Sequence, residues 1–408
     1  MFKRLVIPLV FFLGFAGTIT WTQLSPYWGA LSRVSRVMRL VHEESVYEDR
    51  VDYERLSNAA IDGMLESLDR YSRYMMASDY ARYEAMSQQR YVGVGIEIEQ
   101  VGERVTVVGT FKGGPAAEAG VIPGDQILRV DGANAEDWTV EAVSDALKGI
   151  EGESTQVVFY RPSTERTSEM TLVRRFVSVE SVRDVRVNAE GFGYLRLVQF
   201  GEKTGLEFRE ALGRLKNPDL KGLVIDLRDN GGGLLTAARE VAEVFFEKGA
   251  LIVSTEGRNG GDTTSLYASG ETIDLGYKVV VLVNGLSASA SEIVAGAWQD
   301  KGKAYLIGET TYGKGSVQSV YVFRDGAGMR QTTALYYLPS GRSINETGVT
   351  PDLLVEMDDE AERRLRLQER HLGYLSDEAF EEFFGFKPDQ EDLQLEAAWV
   401  YLRSQNEG

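Results

Sequence analysis

The chain has no cysteine, and only two histidines, His42 and His371, among its 408 residues. The missing cysteines exclude disulfides, thiolate nucleophiles and cysteine-ligated zinc together. They do not name a compartment, because exported proteins can also lack cysteine. Both histidines lie toward the ends, outside the Ser- and Gly-rich centre. No H-E-x-x-H zinc motif is therefore present, and no histidine is placed for a chymotrypsin-like triad. Positive charge is also in deficit. The 44 basic residues against 62 acidic ones leave a net charge of −18, which argues against a nucleic-acid partner, since phosphate neutralisation needs a basic face.

What remains is an ordinary globular composition, 43% hydrophobic and 26% charged, long enough for two or three domains. No internal repeat or low-complexity linker interrupts it. At the N-terminus, Lys3 and Arg4 precede an uncharged stretch from Leu5 to Ser32. Its apolar part, LVIPLVFFLGFAGTITW, approaches the ~20 residues that cross a bilayer. The basic flank should stay cytoplasmic and place the rest outside, although Arg33, Arg36 and Arg39 weaken the asymmetry. Thr18-Ile19-Thr20-Trp21 offers no A-x-A-like cleavage site. The segment 1–28 therefore reads as an uncleaved signal anchor, with a cleaved signal peptide or an apolar helix in a soluble fold as alternatives.

Residues 29–88 show helical spacing, with Leu31, Val34, Met38 and Val41, then Ile61, Met64, Leu65 and Leu68. From 89 to 177 the pattern changes to short β-type runs (YVGVGIEIEQ, RVTVVGTF, GDQILRVDG, TQVVFYR) broken by Gly-rich turns, with two short helical stretches. Over 178–356, strands alternate with helices, which predicts an α/β layer around a mainly parallel sheet. A charged helical extension fills 357–408.

Three segments of this α/β region could carry chemistry. DLRDNGGG (226–233) joins a buried-type strand to a helix, and its glycines leave backbone N–H groups open to an oxyanion or a phosphate. A plain tight turn accounts for it equally well, and a Rossmann turn does not, for want of G-x-G-x-x-G. NGLSASASEIVAGAWQD (284–300) runs from strand to helix through small residues that admit a carbonyl to a serine hydroxyl. Its logic is that of a nucleophile elbow without the G-x-S-x-G sequence. Ser287, Ser289 and Ser291 are all candidates, and Ser291 could instead cap the helix with Glu292 in its first turn.

GETTYGKGSVQ (308–318) nearly matches a P-loop, but Gly315 stands where Ser or Thr must hold Mg²⁺, and the following SVQSVYVF predicts a strand. Lys314, between two glycines, is either a solvent-exposed turn residue or a base held in a dry pocket. As a base it must shed its proton from a reference pKa of ~10.4, and three units correspond to roughly 4 kcal/mol. A salt bridge to Glu309 would defeat that role. With histidine absent from the region, a serine–lysine pair is the natural remaining dyad.

These segments in this order resemble the C-terminal processing peptidases, or tail-specific proteases. The resemblance runs over residues 35–355 and includes DGMLESLDRYSRYM, a PDZ-like segment, VIDLRDNGGG, SASASEI and GETTYGKGSVQ. It implies a multidomain α+β chain: membrane helix, helical lead-in, PDZ domain at 89–177, α/β ClpP/crotonase-like protease core at 178–356 and C-terminal helical tail. It implies Ser289 as nucleophile, Lys314 as general base, Gln318 as the residue positioning that lysine, and the N–H groups of Gly233 and Ala290 as oxyanion hole. Substrate proteins would be captured by their C-termini at Gly93, Val94, Gly95 and Ile96, by strand addition to a sheet edge. No metal or organic cofactor is implied. A bacterial periplasmic location, self-assembly through residues 29–88 and a regulatory adaptor protein accord with the family type. The alternative is a non-catalytic PDZ adaptor that retains the fold.

Overall fold

The computed structural model describes residues 26–406, apart from 88–90, 112, 178–179, 217–218, 262, 271, 274–275 and 372–375. Most of the expected signal anchor therefore lies outside the described residues. Among those described, no helix is long and apolar enough to cross a membrane.

The chain divides into two compact units, one holding residues 1–80 and 318–332 and the other 81–317 and 333–408. In the first, a helix over 26–44 precedes helix Tyr53–Glu66, whose N-cap Asp52 accepts the Arg55 N–H. His42 is spent locally, with Nδ1 2.7 Å from the Val51 carbonyl oxygen and its ring stacked on Tyr53. Helical spacing predicts helix throughout 29–88, but Arg73–Met75 is a strand. It pairs antiparallel with residues 328–330, so a partner far along the chain overrides the local periodicity.

The second unit contains two sheets, the smaller with one core and the larger with a core on each face. Strands Ile96–Val101, Arg104–Thr110, Gln126–Val130, Ser154–Arg161 and Arg166–Val173 form an antiparallel sheet. With helices Pro115–Glu118 and Val140–Leu147, it encloses Val94, Val105, Val107, Ile127, Val157 and Phe159.

The larger sheet has six strands, ordered Val182–Val187, Phe192–Leu197, Gly222–Asp226, Lys278–Val283, Tyr305–Gly308, Leu353–Leu354. The first pair is antiparallel and the rest are parallel. A parallel sheet is buried on both faces, so its strands read as unbroken apolar runs. VVVLV shows the consequence. Val279, Val281 and Val283 enter one core with helices Thr204–Leu215, Leu235–Ala242 and Ala290–Asp300, while Val280 and Leu282 enter another. That second core is closed by the last helix, Leu393–Ser404, through Ala398, Trp399 and Leu402. The charged C-terminal extension thus supplies a layer of the fold. Gly222 admits it, since a Cβ there would stand 2.8 Å from a Leu402 methyl carbon.

Candidate active site

Strands Gly222–Asp226 and Lys278–Val283 are parallel neighbours, so the loops that follow them leave the same edge of the sheet. Sites in open α/β sheets form outside that carboxyl edge. The first loop is DLRDNGGG. Buried Asn230 organises it: Nδ2 donates to the Leu197 carbonyl (2.6 Å) and Oδ1 accepts the Gly232 N–H (2.9 Å). The Asn230 carbonyl also accepts from the second loop, from the Ala288 N–H (3.0 Å) and the Ser291 hydroxyl (2.8 Å).

Gly232 and Gly233 have φ of +95° and +150°, values that L side chains rarely adopt. A Cβ on Gly232 would lie 2.6 Å from Ala288 O and 2.9 Å from both Ala290 N and Ser289 Cβ. A Cβ on Gly233 would lie 2.2 Å from Phe200 O. Glycine is therefore what lets this turn press against the serine turn. Among the described residues, no hydrogen bond engages the N–H of Gly233 or of Ala290. Gly232→Ala is accordingly expected to lower the melting temperature, reflecting strain of about 1–3 kcal/mol. A wild-type melting temperature in that variant would refute the close packing of the two turns.

The second loop separates the three serines. Ser287 and Ser291 are fully buried, with their hydroxyls donated to the Leu227 and Asn230 carbonyls at 2.8 Å each. Ser289 is the part-exposed one. It stands at the N-cap of helix Ala290–Asp300 with φ +57° and ψ −112°, an unusual conformation for a residue bearing a Cβ. Such outliers persist only where the surroundings over-determine them, and they cluster at functional turns. Ser291, the cap expected as an alternative, lies one residue inside the helix instead.

Glu292 was legible only as a first-turn helix residue. It is completely buried and receives four hydrogen bonds. Oε2 accepts the N–H of Ser289 (2.7 Å) and of Lys314 (2.9 Å); Oε1 accepts the Gly313 N–H (2.7 Å) and the Thr311 hydroxyl (2.6 Å). One carboxylate oxygen thus joins the serine turn to the lysine loop. The two main-chain nitrogens lie no further apart than those two bonds laid end to end.

Lys314 is half-buried, and Gly315 beside it packs so tightly that a Cβ would stand 2.3 Å from Asn345 N. The carboxylate of Glu309 accepts the Met357 N–H at 2.9 Å. Gln318, on strand Ser316–Val322, belongs to the first unit, where its side-chain amide lies 3.5 Å from Thr332 Oγ1.

Beneath the first loop, Asp226 and Arg228 form a buried pair at 2.6 Å. Burial pushes the Asp226 carboxyl upward, but the Arg228 guanidinium and its hydrogen bonds outweigh that and hold it at about 2.

In the smaller core, Gly93 closes the short strand Tyr91–Gly93, which pairs with Arg175–Val177. The carbonyls of Val94 and Gly95 accept the N–H groups of Ala116 (2.9 Å) and Phe111 (3.0 Å). Gly95 sits at φ +77°, and Ile96 begins the edge strand Ile96–Val101.

Comparison with known proteins accords with this geometry. Residues 191–355 match the model of peptidase family S41, and residues 106–161 match a PDZ domain. The chain is 37% identical over 88% of its length to a "Carboxy-terminal-processing protease" of Bartonella bacilliformis, covering 81% of that protein. It is 30% identical over 81% of its length to the "Carboxy-terminal processing protease CtpB" of Bacillus subtilis, covering 68% of that one. A solved structure, a putative S41 protease of Bacteroides fragilis, shares the fold at 18% identity, with a TM-score of 0.54, over 86% of this chain and 97% of that one. With the PDZ segment followed by the parallel sheet and its serine turn, the chain belongs to the carboxy-terminal processing proteases of serine peptidase family S41.

Proposed function

We propose that the protein is a serine endopeptidase with a Ser289–Lys314 dyad. Neutral Lys314 Nζ takes the proton from Ser289 Oγ as Oγ bonds to the scissile carbonyl carbon. The carbonyl π electrons move to oxygen, and the N–H groups of Gly233 and Ala290 hold that oxyanion. Collapse breaks the C–N bond, the leaving amine takes the proton from Lys314, and an ester on Ser289 remains. Lys314 then deprotonates water as it attacks the ester carbonyl, and returns that proton to Ser289 Oγ as the C–Oγ bond breaks, releasing the new C-terminus and the free serine. The observation carrying this reading is Glu292, whose single oxygen accepts from the backbone of both dyad members.

The PDZ segment would present a protein C-terminus to this site, with the carboxylate at the loop Gly93–Gly95 and the peptide added beside Ile96–Val101. The apolar run after Lys3 and Arg4 supports an envelope location, with the catalytic part on the periplasmic side of the inner membrane.

The assay is cleavage of an unstructured protein with an apolar C-terminus, compared between the free and the amidated C-terminus. Amidation removes the negative charge and should raise KM at least about tenfold, the loss of roughly 1.4 kcal/mol, with kcat nearly unchanged. Equal KM for the two substrates would remove the carboxylate-reading role. It would leave the dyad standing.

A further inference from the structure

The two catalytic turns are held from outside by the C-terminal helices, through a polar cluster that the dyad chemistry does not use. Asp229, in the glycine turn, and Asn284, at the start of the serine turn, pair reciprocally. The Asp229 N–H donates to Asn284 Oδ1 (3.0 Å), and Asn284 Nδ2 donates to Asp229 Oδ1 (3.0 Å). Asn284 is buried, and its Oδ1 also accepts the Leu286 N–H (3.2 Å). Asp229 carries φ +59°, so the pair braces a backbone that would otherwise relax.

Helix Asp359–His371 covers this bridge. Arg366 reaches Asp229 Oδ1 and Glu362 at 3.4 Å each, and Glu362 accepts from Asn284 Nδ2 at 3.4 Å. From the same helix, Glu369 pairs with Arg196, which also donates to Asp229 Oδ2 (3.2 Å). Asp392, the N-cap of the last helix, takes both terminal nitrogens of Arg228 at 2.8 Å.

We propose that Asp229, Asn284 and Arg366 are positioning residues: the C-terminal helix, through Arg366, sets the spacing between the turn carrying Gly233 and the turn carrying Ser289. The physical need is plain. Three consecutive glycines, 231–233, have the largest backbone entropy to lose, and within the turn it is the Asn230 side chain, at the Gly232 N–H, that restrains them. An oxyanion hole acts only when its donors are held before the charge develops. The inference rests on the dyad reading for its kinetic consequence but not for its structural one.

The test uses the full-length protein with Arg366→Ala, Arg366→Lys, Asp229→Ala, Asn284→Ala and the Asp229→Ala/Asn284→Ala pair. Arg364→Ala is the control, since Arg364 makes an exposed pair with Glu360 on the same helix. Backbone hydrogen exchange, read by mass spectrometry over 229–234 and 284–290, is expected to speed up in the Arg366→Ala, Asp229→Ala and Asn284→Ala variants. Lysine should restore part of the protection at 366, and the control should match wild type.

On an unstructured protein substrate, kcat should fall between about tenfold and a hundredfold with KM little changed, the signature of displaced catalytic groups. The paired variant should lose no more than the worse single one, because the two residues act as one bridge. Unchanged exchange in both turns overturns the proposal, whether or not the protein cleaves. A kcat loss that merely tracks the unfolded fraction also overturns it. A wild type without Ser289-dependent cleavage refutes the dyad, while the exchange result still decides the bridge.

Discussion

Ser289→Ala is expected to abolish cleavage of an unstructured protein substrate, lowering kcat by at least about a thousandfold with the fold intact. The expectation follows from the turn. Ser287 and Ser291 have their hydroxyls committed to buried carbonyls, so neither can replace Ser289 as nucleophile without dismantling the loop. Alanine retains the Cβ that φ +57° already tolerates, and it removes only the oxygen. The residual rate would come from binding and the Gly233 and Ala290 amides alone.

Lys314→Ala should reach a similar floor, and the double variant should go no lower, because in the proposed dyad nucleophile and base act as a unit. Rates are measured under single-turnover conditions, so that acylation is separated from product release. Cleavage at wild-type rate by Ser289→Ala would falsify the assignment. Independent, multiplicative losses in the double variant would show instead that Lys314 acts by some route other than accepting the serine proton.

The second large effect is at Glu292, on stability and activity together. Glu292→Ala leaves four donors, on Ser289, Thr311, Gly313 and Lys314, facing a void that was a carboxylate. Leaving a buried donor unsatisfied costs about 1–3 kcal/mol, so four of them cost at least about 4 kcal/mol. For a chain of this size the melting temperature should drop by about 5 °C or more, at roughly 1 °C per kcal/mol.

Glu292→Gln separates the two consequences. The amide keeps the shape and one acceptor oxygen, but its NH₂ group confronts donors on the other side. Most of the stability should survive, whereas kcat should still fall roughly a hundredfold, since the serine turn and the lysine loop are no longer held to one carboxyl group. A Glu292→Gln enzyme with wild-type kcat would mean that the shared carboxylate is structural only. Thermal melts and kcat on the same preparations decide it.

Much of the architecture was open to local reading because local physics wrote it. Alternating strand and helix segments announced a parallel sheet, and helices Thr204–Leu215 and Val140–Leu147 stand where their apolar spacing places them. Strand Arg73–Met75 was not legible, because its reason for being a strand is a partner some 250 residues away. The last helix was legible as a helix but not as a layer of the core. Charged spacing shows which face is wet and is silent about which sheet the other face meets.

The site divides in the same way. By itself the sequence determined the available chemistry: no thiol, no central histidine, three serines in a small-residue turn, a lysine between glycines and a glycine run after a buried strand. Order and motif pointed to Ser289 and Lys314 through resemblance. Only the tertiary structure decided that Ser287 and Ser291 are spent on backbone carbonyls and that Gly232 abuts Ala290. It alone showed Glu292 to be the acceptor both loops share, and the C-terminal helices to reach back to Asp229 and Asn284. The physical reason is distance along the chain. Residue type and spacing encode what a segment can do alone, whereas a hydrogen bond from residue 314 to residue 292, or from 366 to 229, exists only after the sheet has brought those loops to one edge.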